Sequence, residues 1–212
     1  MKAEMNELLT SAERSVIRKL STPQKIQDYL ESLPFVDAKP GFGTIGHSLG
    51  RHNSVYTAVF DERIKVVVTS CGFDSFRDYM DGDPAVWRPE RGWCQTRYMP
   101  ALAAYAGRLD QLPFDFPDVL SAIAPRALFV NAPLHDDNFR WRSVDQVVES
   151  VRSRYAAAGV ADRLVVHHPD SKHRFPPEER RAAYEFMERN VNSPVPPRPA
   201  KLSSHPHLPQ RL

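Results

Sequence analysis

Hydrophobic positions change their period along this chain, and the changes mark out its elements. Leu8, Leu9, Val16, Ile17 and Leu20 recur at helical spacing, and Thr22 followed by Pro23 supplies a cap and a first-turn proline for a second helical stretch through Ile26, Tyr29 and Leu30. Residues 5–32 read as a helical hairpin or kinked pair closed by Pro34, and Asp37-Ala38-Lys39-Pro40-Gly41 has linker composition. Beyond residue 41, strand and helix patterns alternate. A very short apolar stretch, Gly43-Thr44-Ile45, runs into a helix-compatible segment from Leu49 to about Phe60. Ile64-Lys65-Val66-Val67-Val68-Thr69, Arg126-Ala127-Leu128-Phe129-Val130 and Leu164-Val165-Val166-His167 are runs of the kind buried in parallel sheets. Helical patterns lie at 143–158, with Val144, Val147, Val148, Val151 and Tyr155 on one face, and at 178–191. This order predicts an α/β fold: a short parallel sheet flanked by helices and preceded by an N-terminal helical segment.

Composition narrows the class. The 212 residues are 42% hydrophobic and 25% charged, and no run approaches the roughly 18 apolar residues of a membrane span, so a soluble globular chain without a membrane partner is expected. The opening Met1-Lys2-Ala3-Glu4-Met5-Asn6-Glu7 has acids where a signal peptide has its apolar core, which makes the cytoplasm the expected compartment. Cys71 and Cys94 are too few for a disulfide framework and lack the spacing of a metal or redox pair; they read as reduced thiols. Of the net charge of +2, residues 192–212 carry +3 through Arg198, Lys201 and Arg211, leaving the remainder at −1. No clustered basic face is present for a nucleic-acid partner. The same 21 residues hold six of the nineteen prolines. They read as an extended or disordered tail, inert or a peptide ligand for an aromatic groove.

The candidate chemistry centres on Gly46-His47-Ser48-Leu49-Gly50, a match to the G-x-S-x-G turn that places a serine between a strand and a helix. The glycines are intelligible there because neighbouring backbone must approach closely. Two further residues follow in the order Ser, Asp, His. An acidic cluster, Asp136-Asp137, stands after the strand ending at Val130, and His173 after the strand ending at His167. In a parallel sheet all three fall at the carboxyl edge, where ligands of open α/β sheets bind. Blander readings stand beside each. Ser48 also suits a helix N-cap; Asp137 is as polar as its neighbour, and Asp74 is a third acid; His173 suits a solvated loop. His167, His168, Asp170 and His173 offer metal ligands, but adjacent strand residues point to opposite faces, so no metal site is expected. Tyr79, Trp87, Trp93 and Tyr98, interleaved with Arg88, Arg91 and Arg97, line a pocket or, as the simpler reading, pack as a surface excursion.

Residues 42–191 resemble the C-terminal half of an α/β-hydrolase, and more narrowly the dienelactone-hydrolase and acetyl-xylan-esterase-like branch. The resemblance rests on Ile45-Gly46-His47-Ser48-Leu49-Gly50, on Phe60-Asp61-Glu62-Arg63-Ile64-Lys65-Val66-Val67-Val68 with Cys71-Gly72-Phe73, on Val130-Asn131-Ala132-Pro133-Leu134-His135-Asp136, and on His173 with Phe175-Pro176-Pro177. It implies a serine ester hydrolase in which Ser48 is the nucleophile, His173 the general base and acid, Asp136 the residue orienting the imidazole and the Leu49 N–H one oxyanion donor. It also implies a small-molecule ester substrate and no metal or organic cofactor. The chain is then expected to divide into a helical segment and linker at 1–40, a partial α/β-hydrolase portion at 41–191 and the tail at 192–212.

Three departures qualify the resemblance. The family places four or five strands before its nucleophile, whereas Ser48 arrives after 47 residues, most of them with helical patterning. The loop that supplies the second oxyanion donor has no counterpart, and Arg51 stands where relatives have another glycine. The start, Leu9-Thr10-Ser11-Ala12-Glu13 through Leu20-Ser21-Thr22-Pro23 to Leu33-Pro34-Phe35, resembles the opening of bacterial transglutaminase-like proteins, though no cysteine precedes Cys71 to act as their nucleophile. Two classes are therefore expected to compete: an ester hydrolase, with missing sheet supplied by a second copy or a complementing chain at the open edge, and a truncated, non-catalytic remnant acting as a binding or association module.

Overall fold

The computed structural model describes residues 23–198 apart from Arg97. The helical pattern at 5–22, much of the transglutaminase-like stretch, the tail beyond residue 198 and the side chain of Arg51 lie outside the described residues.

Helix α1 (Pro23–Glu31) opens on Pro23, where the missing N–H costs no hydrogen bond. Strand β1 (Phe42–His47) is twice as long as the three apolar residues suggested, because backbone pairing with its neighbour extends through both glycines. Gly41, at φ +91°, makes the entry: a Cβ there would stand 2.5 Å from the Arg63 carbonyl oxygen. Helix α2 (Leu49–Phe60), strand β2 (Ile64–Ser70), helix α3 (Phe116–Ile123), strand β3 (Ala127–Asn131), helix α4 (Trp141–Ala157), strand β4 (Leu164–His167) and helix α5 (Pro177–Val191) follow. Between β2 and α3 the chain runs through short 3-10 turns from Tyr79 to Gln111.

The four strands are parallel and lie in the order β1-β2-β3-β4. Each strand is added on the same side of the last, so crossovers of one hand must put every connecting helix on one face. The core agrees. Val55 and Ala58 of α2, Leu120 and Ile123 of α3, and Val147, Val151 and Tyr155 of α4 pack with Val67 and Leu128 on that face. Among the described residues, α5, which follows the last strand, is the helix that covers the other, where Ala183 and Phe186 meet Val66, Val68, Ala127 and Phe129. Val67 of β2 thus enters one core and Val66 and Val68 the other, which is why this part of the strand is a continuous valine run.

The excursion corrects the expectation of a surface layer. Trp87 and Trp93 are buried within the larger core, where Phe76 meets both edge-to-face at 5.9 Å. Asp115 fixes the excursion to α3. Its carboxylate accepts from Ser75 Oγ at 2.6 Å, from the Phe76 N–H at 2.9 Å and from the Phe116 N–H at 2.7 Å, and a reciprocal bond from its own N–H to Asp118 completes the helix cap. Neither cysteine is in a disulfide. Among the described residues no helix is long and apolar enough to cross a membrane.

Candidate active site

Parallel strands all end at the same edge, so the first residues beyond them gather there. His47, Ser70, Asn131 and His167 form one row across the sheet. The N–H groups of Ser48, Cys71 and Ala132 each donate to the last carbonyl of the neighbouring strand, Ser70, Asn131 and His167 in turn, at 2.9 Å. Sequence order therefore becomes spatial order.

Ser48 occupies the turn between β1 and α2 with φ 51° and ψ −121°, a conformation that costs an L-residue roughly 1–3 kcal/mol. It stands at the N-cap position, yet its hydroxyl makes no capping hydrogen bond. The N–H of Leu49, first in the helix, has no carbonyl behind it to bond within the helix. Gly50 departs from expectation: a Cβ there would meet nothing within 4 Å, so close backbone approach does not explain this glycine.

Asp136 and His173 are brought together. The imidazole Nδ1 lies 2.9 and 3.0 Å from the two carboxylate oxygens of Asp136, whose side chain is 1% exposed against 24% for the histidine. Burial pushes the Asp136 carboxyl up. Hydrogen bonds from His173 and from the N–H groups of Asn138 and Phe139, with the charge of His173, outweigh it and hold the acid below the usual carboxylate value. Asp137, the neighbouring candidate, is exposed. Asp74 is fully buried elsewhere, accepting from the Arg140 N–H at 3.2 Å. Burial raises its carboxyl to about 7, with Asp78 adding to the rise and the Arg140 N–H opposing it.

Ser48 and His173 are not joined by a hydrogen bond among the described residues. His47, the residue before Ser48 and a variable position of the motif, is a ring that meets His173. Its ring centroid is 5.1 Å from that of His173, and its Nδ1 lies 3.0 Å from Ser70 Oγ, which in turn accepts from Asn131 Nδ2 at 2.8 Å. Ser48 and Leu49 open onto a cavity of about 200 Å³ whose other walls include Tyr79, Trp93, Tyr98 and Asn138. Asn138 links that cavity to the histidine, its amide nitrogen 3.3 Å from His173 Nδ1. The excursion's aromatics thus serve core and pocket together. His167 and His168 face apart, one to Glu179 at 2.7 Å and the other to Asp145 at 2.8 Å.

The same arrangement of strands and helices recurs in solved structures. A carbohydrate esterase family 15 glucuronoyl esterase from Caldicellulosiruptor kristjansonii superposes with a TM-score of 0.66 at 24% identity, over 78% of this chain and 47% of that one. The fold is that of an α/β-hydrolase. A promiscuous esterase of the same carbohydrate esterase family from a marine bacterial metagenome shares this α/β-hydrolase architecture, with a TM-score of 0.63 at 18% identity over 79% of this chain and 46% of its own. By sequence, the Bacillus subtilis (strain 168) protein named "Putative hydrolase YtaP" is 29% identical over 163 residues, 76% of this chain and 50% of that protein. The chain thus spans about half the length of the relatives it matches. No family model matches it.

Proposed function

We propose that the chain hydrolyses carboxylic esters, with Ser48 as nucleophile, His173 as base and acid, and Asp136 orienting the imidazole. The observation that carries this reading is the Ser48 backbone, held at φ 51° with its hydroxyl unused for capping, at the strand edge that also carries the paired His173 and Asp136. An ionised carboxylate only accepts, so Asp136 keeps the histidine proton on Nδ1 and leaves Nε2 to take the proton of the Ser48 hydroxyl as it attacks. The same proton then passes to the leaving alcohol. Carbohydrate esters fit best: two solved structures of like fold are a glucuronoyl esterase and a promiscuous esterase of the same carbohydrate esterase family, and a cavity walled by Tyr79, Trp93 and Tyr98 with the Gln95 and Asn138 amides combines ring-stacking surface with hydrogen-bonding groups. The chemistry requires no cofactor.

A second reading, a binding module on a hydrolase scaffold, is favoured by one observation. Ser48 makes no hydrogen bond to His173, and the Leu49 N–H is the single oxyanion donor the turn supplies. Loss of one such donor costs about 10²–10³ in rate. A fluorophosphonate probe separates the two. Labelling abolished by Ser48→Ala, with p-nitrophenyl acetate hydrolysis lost in both Ser48→Ala and His173→Ala, supports the hydrolase; folded protein that takes up no label leaves the binding module.

A further inference from the structure

Where β2 leaves the sheet, Cys71 takes the step that Ser48 takes beside it, and both have φ 51°. The turn carries the Cys71 sulfur to the His173–Asp136 pair: one donor atom from each of the three residues lies within 4.8 Å of the other two. We propose that Cys71, Asp136 and His173 bind a single borderline-soft divalent cation of the zinc type, and that the bound ion disables His173 as a base. The second half rests on the hydrolase reading above; the first does not.

Thiolate, imidazole and carboxylate are the three donor types of zinc sites, whereas magnesium and calcium take oxygen alone. Zinc–ligand bonds of about 2.0–2.3 Å place tetrahedral donor atoms roughly 3.3–3.7 Å apart. Here the nitrogen and carboxylate oxygen stand at 2.9 Å and no pair exceeds 4.8 Å, so movements on the order of 1 Å complete the site. Charge favours it too. Cys71 is 1% exposed, as is the Asp136 side chain, and a thiolate with a carboxylate cancels the charge of a divalent ion, leaving no net charge in this buried corner. The donors are already braced, Asp136 by the Asn138 and Phe139 N–H groups and Cys71 by its N–H bond to Asn131, while its thiol donates to the Arg174 carbonyl at 3.2 Å. The partly exposed edge of His173 is the entrance.

The proton balance gives the consequence. Binding expels the Cys71 thiol proton to solvent and moves the imidazole proton from Nδ1 to Nε2, so each ion releases one proton and nothing is oxidised or reduced. An imidazole protonated at Nε2 has no lone pair there to take the Ser48 proton.

Competing sites are nearby. The pairs His167–Glu179, His168–Asp145 and His135–Asp170 all offer nitrogen and oxygen but no sulfur. Cobalt(II) absorption therefore decides, because only a cysteine ligand produces a thiolate-to-metal charge-transfer band. The full chain titrated with cobalt is expected to show that band saturating at one ion, retained in Cys94→Ala and lost in Cys71→Ala. Zinc calorimetry should show affinity falling more than about tenfold in Cys71→Ala, the least that even outer supporting residues cost. Zinc should also inhibit p-nitrophenyl acetate hydrolysis at concentrations more than about tenfold lower in the wild type than in Cys71→Ala. Cobalt bound without the charge-transfer band, or a band lost in Cys94→Ala, would overturn the site. The Cys94→Ala and wild-type spectra suffice should Cys71→Ala not fold. A chain with no esterase activity that still shows the band retains the site and loses only the hydrolase reading.

Discussion

At the scale of single residues, three side chains hold their geometry against an opposing cost. Ser48 sits in a region that glycine enters freely, so Ser48→Gly relieves backbone strain while adding glycine's entropy cost of about 0.5–1 kcal/mol. The expected net is a stabilisation of about 1 kcal/mol in chemical denaturation, with ester hydrolysis lost. Ser48→Ala should lose the activity without the gain. The two acids respond oppositely to pH. Asp136 titrates lower folded than unfolded, so its contribution is full above the ordinary carboxylate value near 4 and disappears as pH falls through the lowered one. Asp136→Asn should therefore be less stable than the wild type at pH 6, with the gap closing below about pH 4. Asp74 titrates near 7 folded against 3.8 for the free side chain, because burial opposes its ionisation. Between these values the folded chain keeps a proton that the unfolded chain has released, so stability falls as pH rises through the window. Thermal unfolding of the wild type should weaken from pH 5 to pH 8, and Asp74→Asn should remove most of that slope.

At the scale of elements, Asp115 joins two parts of the chain that periodicity treats separately. Its carboxylate caps α3 and holds the Ser75–Phe76 backbone that leads into the pocket wall at Tyr79. Asp115→Ala removes a cap and leaves buried donors unsatisfied, at a cost of about 2 kcal/mol, readable as a lowered denaturation midpoint with unchanged slope. The same element shows where sequence patterns stop being informative. The face of α4 was legible from its repeated helical period, α2 and α5 as helical stretches, and β2, β3 and β4 as short apolar runs. Helix α3 is eight residues long, and the 3-10 turns around Trp87 and Trp93 are shorter still, so burial there is set by tertiary packing that no local period records. Ser48, Asp136 and His173 were legible as strand-end residues, since topology alone brings strand ends together. Cys71 obeys the same rule, but its spacing along the chain matches no metal or redox motif, so no local pattern marks it. His47 gave no signal, because nothing in a single strand tells which ring stands beside it on the far side of the sheet.

At the scale of the molecule, the sheet order leaves β1, the strand that carries Ser48, at an edge among the described residues. Its side chains alternate between half-buried and exposed, Ile45 is 37% exposed, and Phe42, Gly43 and Thr44 line a groove shared with Ile26 and Leu30 of α1. An unpaired strand edge with apolar flanks is a template for another strand. Sedimentation between ~1 and ~100 μM is therefore expected to show concentration-dependent association, a range in which unpaired edges begin to pair. Ile45→Lys should abolish it, because a lysine on an edge blunts pairing while a substitution at so exposed a site changes stability by only about ±0.5 kcal/mol. A chain that stays monomeric throughout would show that the edge is not an association site. Activity gives a separate readout. If a partner strand also brings the second oxyanion donor, specific activity must rise with concentration, by up to about 10²–10³ at saturation, and Ile45→Lys must hold it at the low plateau. Association with flat specific activity would instead mean that pairing completes the sheet without completing the site.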